Sequence, residues 1–227
     1  MARLSRLDLA GHLHLVIHRG RNDQPVFVDD DDRHRFLGAL LDSTRECSVI
    51  VHAYALMDDQ VLLLATPAEA GAMARFMQAV GRRYVKAFNH RHGRQGPLWE
   101  GRYRTTVVDP VAHLLACILL IEQAPVRAGL VARTSEWPWS SSAHHAGRKV
   151  DAIVTEHAAY WQLGNTPFER EARYVRESAA PLADQVVRAL FAAARRGWPF
   201  GSEEFLRSLV QTAARSMSPQ PRGRPKQ

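Results

Sequence analysis

Cysteine is scarce in this sequence, with two residues in 227, and Cys47 and Cys117 lie far apart. They form no Cys-x-x-Cys pair, which excludes a zinc ribbon or a disulfide framework as the basis of the fold. Long hydrophobic runs are also missing, because no apolar stretch approaches the roughly 18 residues of a membrane span. The first residues carry no continuous apolar segment typical of an export signal. We therefore expect a cytoplasmic protein with no membrane partner and two buried thiols.

Acidic residues are outnumbered by basic ones. The chain has 30 Lys and Arg against 23 Asp and Glu, a net charge of +7 and a pI near 10.0. Such a balance favours a polyanionic partner, in the first place nucleic acid. The hydrophobic content of 46% is that of an ordinary globular chain, and 227 residues are enough for one main core with a small addition.

Most of the excess positive charge lies between Arg82 and Arg104, where seven basic side chains accompany a single acid, Glu100. Four aromatic residues are interleaved with them. Cations bind phosphates and rings stack on bases, so this block is a candidate nucleic-acid surface. The alternative is a solvated helix face followed by a basic loop. The candidate DNA-binding residues of the block are Arg82, Arg83, Lys86, Arg91, Arg94, Arg102 and Arg104.

Hydrophobic periodicity predicts the element order β-α-β-β-α-β-α. The first half comprises a strand in Gly11–Gly20, a helix from about Arg33 to Glu46 behind an acidic run, and a hairpin of Ser48–Met57 and Gln60–Pro67 around the turn Asp58-Asp59. The second half comprises an amphipathic helix from Met73 to about Asn89, an extended segment before Asp109, and a helix from Val111 to about Glu122, with Asp109 as N-cap and Pro110 first in the helix. This order is typical of an α+β fold, a ferredoxin-like antiparallel sheet with helices on one face.

Hydrophobic periodicity is weaker in the part of the chain that follows the predicted sheet and its helices. We expect a first domain over residues 1–145, a small helical appendage over residues 146–215 and a disordered basic tail over residues 216–227. The segment beginning WPWSSSAHH is predicted to be a loop, with His144 and His145 in a solvated turn. Helical segments are predicted at His157–Leu163 and within Phe168–Arg196.

Several segments carry a family resemblance: the hairpin HAYALM…VLLLATP, RRYVKAFNHRHGRQGPLWEGRYR, APVRAGLV and WPWSS. Together they resemble the REP-associated tyrosine transposases, a branch of the HUH single-strand transposases found in bacterial chromosomes. The resemblance implies a ferredoxin-like domain that cuts and joins single-stranded DNA beside hairpin-forming repeats, as a monomer or a homodimer. It also implies a divalent cation, Mg²⁺ or Mn²⁺, as cofactor.

The second hairpin strand departs from the family at the metal site. Family members carry His-x-His there, and because strand side chains repeat every two residues, both imidazoles face one side and hold the cation. The matching positions here are Gln60 and Leu62. A glutamine offers a weak carbonyl ligand, whereas leucine has no lone pair. We therefore predict no metal site at these positions.

The nucleophile position departs as well. The family places a tyrosine five residues before the proline of its NPVRAG-like motif and an amide four residues after that tyrosine, so that both project from one helix face. Here Pro125 fixes these positions as Leu120 and Ala124. A phenol oxygen must attack phosphorus and later leave from a covalent intermediate, which leucine cannot do. No catalytic residue is therefore predicted.

Taken together, these departures predict a DNA-binding protein of the transposase family that recognises single-stranded or hairpin repeat DNA without cleaving it. One alternative is an active metal-dependent transposase with relocated residues, in which His12 and His14 bind the metal and Tyr84 or Tyr103 attacks. Another alternative is an RNA-binding relative with a similar sheet.

The last residues contain the sequence PRGRPK, which resembles an AT-hook core. In such a motif an extended Arg-Gly-Arg lies in the narrow minor groove of A/T-rich duplex DNA. The alternative is a basic tail without base preference. In both cases Arg222, Arg224 and Lys226 are predicted to add salt-dependent DNA affinity.

Overall fold

The structure, a computed structural model of the chain, describes residues 6–210. At its centre lies one antiparallel sheet with the strand order β2-β3-β1-β4, formed by β1 Leu13–Arg19, β2 Val49–Met57, β3 Gln60–Pro67 and β4 Arg104–Val108. Strand β3 lies between β1 and β2, which is the arrangement of a split β-α-β unit. The predicted α+β fold with a ferredoxin-like sheet is confirmed.

Helices account for most of the remaining chain. They are α1 Asp30–Cys47, α2 Ala72–Arg91, α3 Pro110–Glu122, α4 Ala124–Arg127, α5 Ser142–His145, α6 Pro167–Ser178, α7 Asp184–Arg196 and α8 Glu203–Val210, with short 3-10 turns at Arg21–Asp23, Thr134–Glu136 and Ala158–Leu163. Within residues 6–210, none of the helices has the length and apolarity needed to cross a bilayer.

Local sequence signals set the main boundaries. Asp29 accepts a hydrogen bond from the Asp32 backbone nitrogen at 3.1 Å and caps α1, whose first turn is acidic. Asp109 caps α3 in the same way, with Pro110 at the first position. The hairpin turn Asp58-Asp59 is also confirmed, because β2 ends at Met57 and β3 begins at Gln60.

One face of the sheet is covered by α1 and α2. The strand side chains on this face include Val16, Val61 and Leu63, and they pack with Phe36 and Phe76 of the two helices in one buried cluster. The prediction of helices on one face holds for this helix pair.

The opposite face is also covered, which the sequence analysis did not predict. Leu15, Ile17, Leu62 and Leu64 form a second buried cluster with α3 and with side chains of the C-terminal region, among them Tyr160, Tyr174 and Leu190. The physical reason is visible in the run VLLLA of β3, which is apolar on both faces. A strand of that kind needs two covering layers.

The C-terminal region also contacts both edges of the sheet. Leu56 in the edge strand β2 donates its backbone N–H to the Trp139 carbonyl at 2.9 Å, and Ser141 donates to the Tyr54 carbonyl at 3.0 Å. At the other edge, Phe200 donates to the Val107 carbonyl at 2.8 Å. These bonds satisfy backbone groups that an open edge would leave unpaired. The region predicted as one long helical segment forms α6 and α7, separated at residues 179–183.

Candidate functional site

The two positions that match the family's metal ligands lie on the α3 side of the sheet. Gln60 and Leu62 are two residues apart in β3, so their side chains share one face. Leu62 is fully buried in the apolar cluster with α3, whereas Gln60 is partly exposed at the strand end. A buried hydrocarbon side chain cannot coordinate Mg²⁺ or Mn²⁺, which bind oxygen ligands. The residues present do not fit the divalent cation that the family resemblance implies.

The nucleophile position lies in the same cluster. Leu120 on α3 is fully buried and belongs, with Leu62, to the apolar layer beneath this face of the sheet. Ala124, at the amide position, is 7% exposed and belongs to it as well. These residues were predicted to meet from separate elements, and the fold does bring them together. The buried side chains around them in this cluster are apolar and offer no metal ligands.

The alternative metal ligands, His12 and His14, lie at the start of β1. His14 is buried on the α1 and α2 side, because it shares a face with Val16, whereas Gln60 shares a face with Leu62 on the other side. Its ring contacts the His12 carbonyl through Nδ1 at 2.7 Å and accepts from the Leu9 backbone through Nε2 at 3.3 Å. Burial lowers the pKa of His14 to about 4, so the ring is neutral at pH 7. Within residues 6–210 no three His, Cys, Asp or Glu side chains lie together as a metal site.

The five phenols are all buried, with no more than 7% of any of them exposed. Tyr54 donates to Asp151, Tyr84 donates to the Val26 carbonyl and Tyr174 donates to Glu122. Burial raises the pKa of every one of them, and that of Tyr103 reaches about 12. A raised pKa disfavours the phenolate that a phosphoryl attack requires.

The basic block divides into two groups. Arg91 forms ion pairs with Asp29 at 2.7 Å, Asp31 at 3.2 Å and Asp32 at 2.8 Å, all at the N-terminus of α1. Arg83 pairs with Glu46 and donates to Ser43 at 2.9 Å. The charge of these two arginines is therefore offset within the fold.

The remaining basic residues of the block are more accessible to a ligand. Arg82, Lys86 and Arg102 are exposed and form no side-chain ion pair within residues 6–210, and Arg94 donates to Gln24 at 3.2 Å. Arg104 is exposed but lies opposite Ile17 in β1, so it faces away from α2. The fold thus separates Arg104 from Arg82 and Lys86. The tail residues Arg222, Arg224 and Lys226 lie outside the described residues.

A buried polar network at the end of α3 was not predicted. The fully buried carboxylate of Glu122 accepts from His145 Nδ1 at 2.7 Å, from Tyr174 Oη at 2.5 Å and from Ser141 Oγ. The expectation of a solvated turn at His145 was wrong, because this ring is 2% exposed. The network ties Ser141 of the WPWSS segment, His145 of α5 and Tyr174 of α6 to the end of α3, since a buried carboxylate needs such partners.

A cavity of 680 Å³ adjoins Gln60 between the sheet and α7. It is lined by four arginines, Arg19, Arg104, Arg188 and Arg195. Only Arg104 was among the candidate residues, because the others lie far from the basic block in the sequence.

Two solved structures resemble this chain. The structure of a REP-associated tyrosine transposase bound to a REP hairpin matches with a TM-score of 0.54 and 18% sequence identity, over 70% of this chain and 96% of that one. The two share a fold. A candidate transposase from Deinococcus radiodurans R1 matches with a TM-score of 0.37 and 24% identity, over 51% of this chain and 89% of that one. No protein-family model and no curated protein matches the sequence.

The resemblance seen in the sequence is thus confirmed at the level of the fold of a REP-associated tyrosine transposase. Fold does not determine chemistry, which depends on the residues at the site. The residues at the site in this chain are Gln60, Leu62, Leu120 and Ala124.

Proposed function

We propose that this protein is a DNA-binding member of the transposase family that recognises single-stranded or hairpin repeat DNA and does not cut it. One observation supports the absence of strand cleavage: Leu62 and Leu120, at the positions of the family's metal ligand and nucleophile, are both fully buried in one apolar cluster. A polar group at either position would lose its hydration without gaining a partner, so leucine at both positions favours a stable fold over catalysis.

Two observations support DNA as the partner. The chain shares its fold with a transposase whose structure contains a REP hairpin. Arg82 and Lys86 are four residues apart on α2, so they project from one exposed helix face, and Arg102 is also exposed. Unpaired cations of this kind bind phosphates and release counterions, which gives affinity that falls with salt.

Hairpin binding tests this proposal. We expect a fluorescent REP-like DNA hairpin to bind the native protein, measured by anisotropy from 50 to 200 mM KCl. The double variant Arg82→Gln, Lys86→Gln removes two phosphate contacts, so the slope of log K against log salt should become shallower by about 1.8. The matched control is Arg173→Gln with Arg176→Gln, two exposed arginines of α6.

Two results would contradict the proposal. One is a native protein that binds the hairpin no better than an unstructured DNA of equal length, and the other is an equal slope change in both double variants. An RNA hairpin that displaces the DNA at lower concentration would instead favour the RNA-binding alternative.

The tail gives a second, separable contribution in this proposal. Arg222→Ala with Arg224→Ala should weaken binding to A/T-rich duplex DNA and flatten its salt dependence. Equal binding by the native chain and this variant would exclude a DNA-binding tail while leaving hairpin recognition untouched.

A further inference from the structure

A second cavity, the α6 cavity, is lined by four segments of the chain, which lie within residues 123–127, 132–135, 142–148 and 174–181. Its volume is 560 Å³, within the range of about 300–1,000 Å³ that is usual for small-molecule sites. None of its lining residues belongs to the basic block or to the positions of the family's metal ligands and nucleophile. The α6 cavity is therefore separate from the proposed DNA surface.

One buried glutamine holds two of these segments together. The Gln123 side-chain nitrogen donates to the carbonyls of Ser178 at 3.2 Å and Ala180 at 2.7 Å. The side-chain oxygen accepts from the Leu182 backbone N–H at 3.0 Å. These bonds use both amide donors of a residue that is only 4% exposed, and they attach the end of α6 to the end of α3. The wall is thus formed before a ligand enters.

Most of the cavity wall is apolar. The ring of Tyr174 is fixed there, because this side chain is fully buried and its hydroxyl donates to Glu122 at 2.5 Å. A surface of this kind favours the apolar part of a ligand over water. The aliphatic lining residues are Val126, Ala143, Ala146, Val175, Ala179 and Pro181.

The charged groups of the lining are all positive. Arg127, Arg133 and Arg148 contribute to it, and no acidic side chain does. Arg133 forms an ion pair with Glu136 at 2.8 Å. Arg127 and Arg148 form no ion pair within residues 6–210. Two of the three guanidinium groups are therefore available to an anion.

Arg127 is held in position by the fold. Its guanidinium group donates to the Leu120 carbonyl in the last turn of α3, where the helix dipole favours a cation. Although the residue as a whole is exposed, burial of the guanidinium group lowers the pKa of Arg127 to about 10. The group is still charged at pH 7, but it has lost part of its hydration without gaining an acidic partner. An anion in the cavity supplies that partner.

We propose that the α6 cavity binds a small amphipathic carboxylate, whose charged group pairs with Arg127 and Arg148 and whose apolar body packs against the aliphatic wall. Arginine is suited to the head group, because its planar guanidinium donates two parallel hydrogen bonds to one carboxylate. A nucleic-acid strand is less suited to the cavity, because it would bring polar sugars and repeated charges against an apolar wall. This binding site goes beyond the proposed DNA recognition.

The test uses the full chain and four probes: decanoate, octanoate, octan-1-ol and acetate. Isothermal titration calorimetry at pH 7, where carboxyl groups are ionised, measures their affinities. Two variants change the cavity, Arg127→Gln with Arg148→Gln and the space-filling Ala179→Trp. The matched control is Arg173→Gln with Arg176→Gln, which removes the same charge from two exposed arginines of α6 outside the lining.

Circular dichroism checks that each protein is folded. The single variant Arg148→Gln is measured as well, because this exposed residue forms no ion pair within residues 6–210 and its loss leaves the contact of Arg127 with Leu120 in place. If the double variant does not fold, the single variant takes its place, and we expect it to weaken octanoate binding but not octan-1-ol binding.

We expect decanoate to bind the native protein about 15-fold more tightly than octanoate, because each buried methylene increases the affinity about fourfold. Acetate should show no binding, since it has no apolar body. The Arg127→Gln, Arg148→Gln variant should bind octanoate about tenfold more weakly and octan-1-ol unchanged. Ala179→Trp should weaken the binding of both, and the control should behave as the native protein.

Several results would overturn the proposal. They are a native protein that binds neither octanoate nor decanoate, equal affinities of the native protein for octanoate and octan-1-ol, octanoate binding that the cavity variants keep, or an equal loss in the control. Displacement of octanoate by an eight-nucleotide oligothymidylate would assign the cavity to nucleic acid instead. Because none of the four probes is DNA, failure of hairpin binding leaves this test unaffected.

Discussion

The apolar packing of Leu62 makes a sharp prediction for the substitution Leu62→His, which restores a family-like ligand in β3. Leu62 is fully buried. Its replacement forfeits about 1.5–3 kcal/mol of side-chain burial and leaves imidazole nitrogens without partners, at a further cost of about 1–3 kcal/mol. We expect a total loss of about 3–5 kcal/mol in the free energy of unfolding.

Urea denaturation followed by circular dichroism measures this loss. With a slope near 2 kcal/mol per molar urea, the midpoint should fall by about 2 M. The control Leu62→Met conserves volume and should cost less than about 1.5 kcal/mol. If Leu62→His and Leu62→Met unfold at the same urea concentration, Leu62 does not lie in a packed apolar layer and the reasoning is refuted.

Metal adds a second arm to this experiment. Ligands that bind the native state stabilise it, so a restored cation site would raise the midpoint of Gln60→His with Leu62→His in MnCl₂. We expect no increase, because Leu120 and Ala124 leave the rest of the site without donors. Recovery in Mn²⁺ but not in its absence would show that a cation site is still assembled.

Three further substitutions test other parts of the fold. Asp32→Ala should cost about 3 kcal/mol of unfolding free energy in a urea titration, because Asp32 is fully buried and its loss leaves the Val28 backbone N–H and His92 without their acceptor. Asp31→Ala, half exposed, should cost less than about 1 kcal/mol. Glu122→Ala should cost about 2–4 kcal/mol, because His145 loses its buried acceptor, and an unchanged melting curve would contradict the network. Burial lowers the pKa of His14 from about 6.5 to about 4, so the unfolded chain binds more protons between these pH values, and about 3 kcal/mol of stability is lost as pH falls from 6.5 to 4. In urea titrations over this range, the stability of His14→Gln should depend less steeply on pH than that of the native protein. An equally steep pH dependence in the two proteins would contradict the burial of His14.

Local signals in the sequence predicted much of the fold. The Asp58-Asp59 turn, the Asp109 cap and the spacing of apolar residues in α2 each act over a few residues, and each is observed close to its predicted position. The meeting of Leu62 with Leu120 was predicted through the family resemblance, since nothing local links β3 to α3.

Features that depend on distant residues were not predicted. The acidic run at the start of α1 was predicted only to precede the helix, and its pairing with Arg91 needs α1 and α2 side by side. The burial of His145 depends on Glu122, and the arginine cavity depends on α7 crossing the corner of the sheet at Arg19 and Arg104. Pairings of this kind are set by topology, which composition and periodicity do not contain.

The proposed function is DNA binding without the chemistry of strand cleavage. Its most direct test is incubation of the purified protein with an end-labelled DNA hairpin carrying unpaired flanks, in Mg²⁺ or Mn²⁺, followed by denaturing electrophoresis. Denaturation removes bound protein and leaves only covalent bonds and cut strands visible. We predict full-length DNA with no protein attached, whereas a nicked product or a covalent protein-DNA adduct would contradict the account.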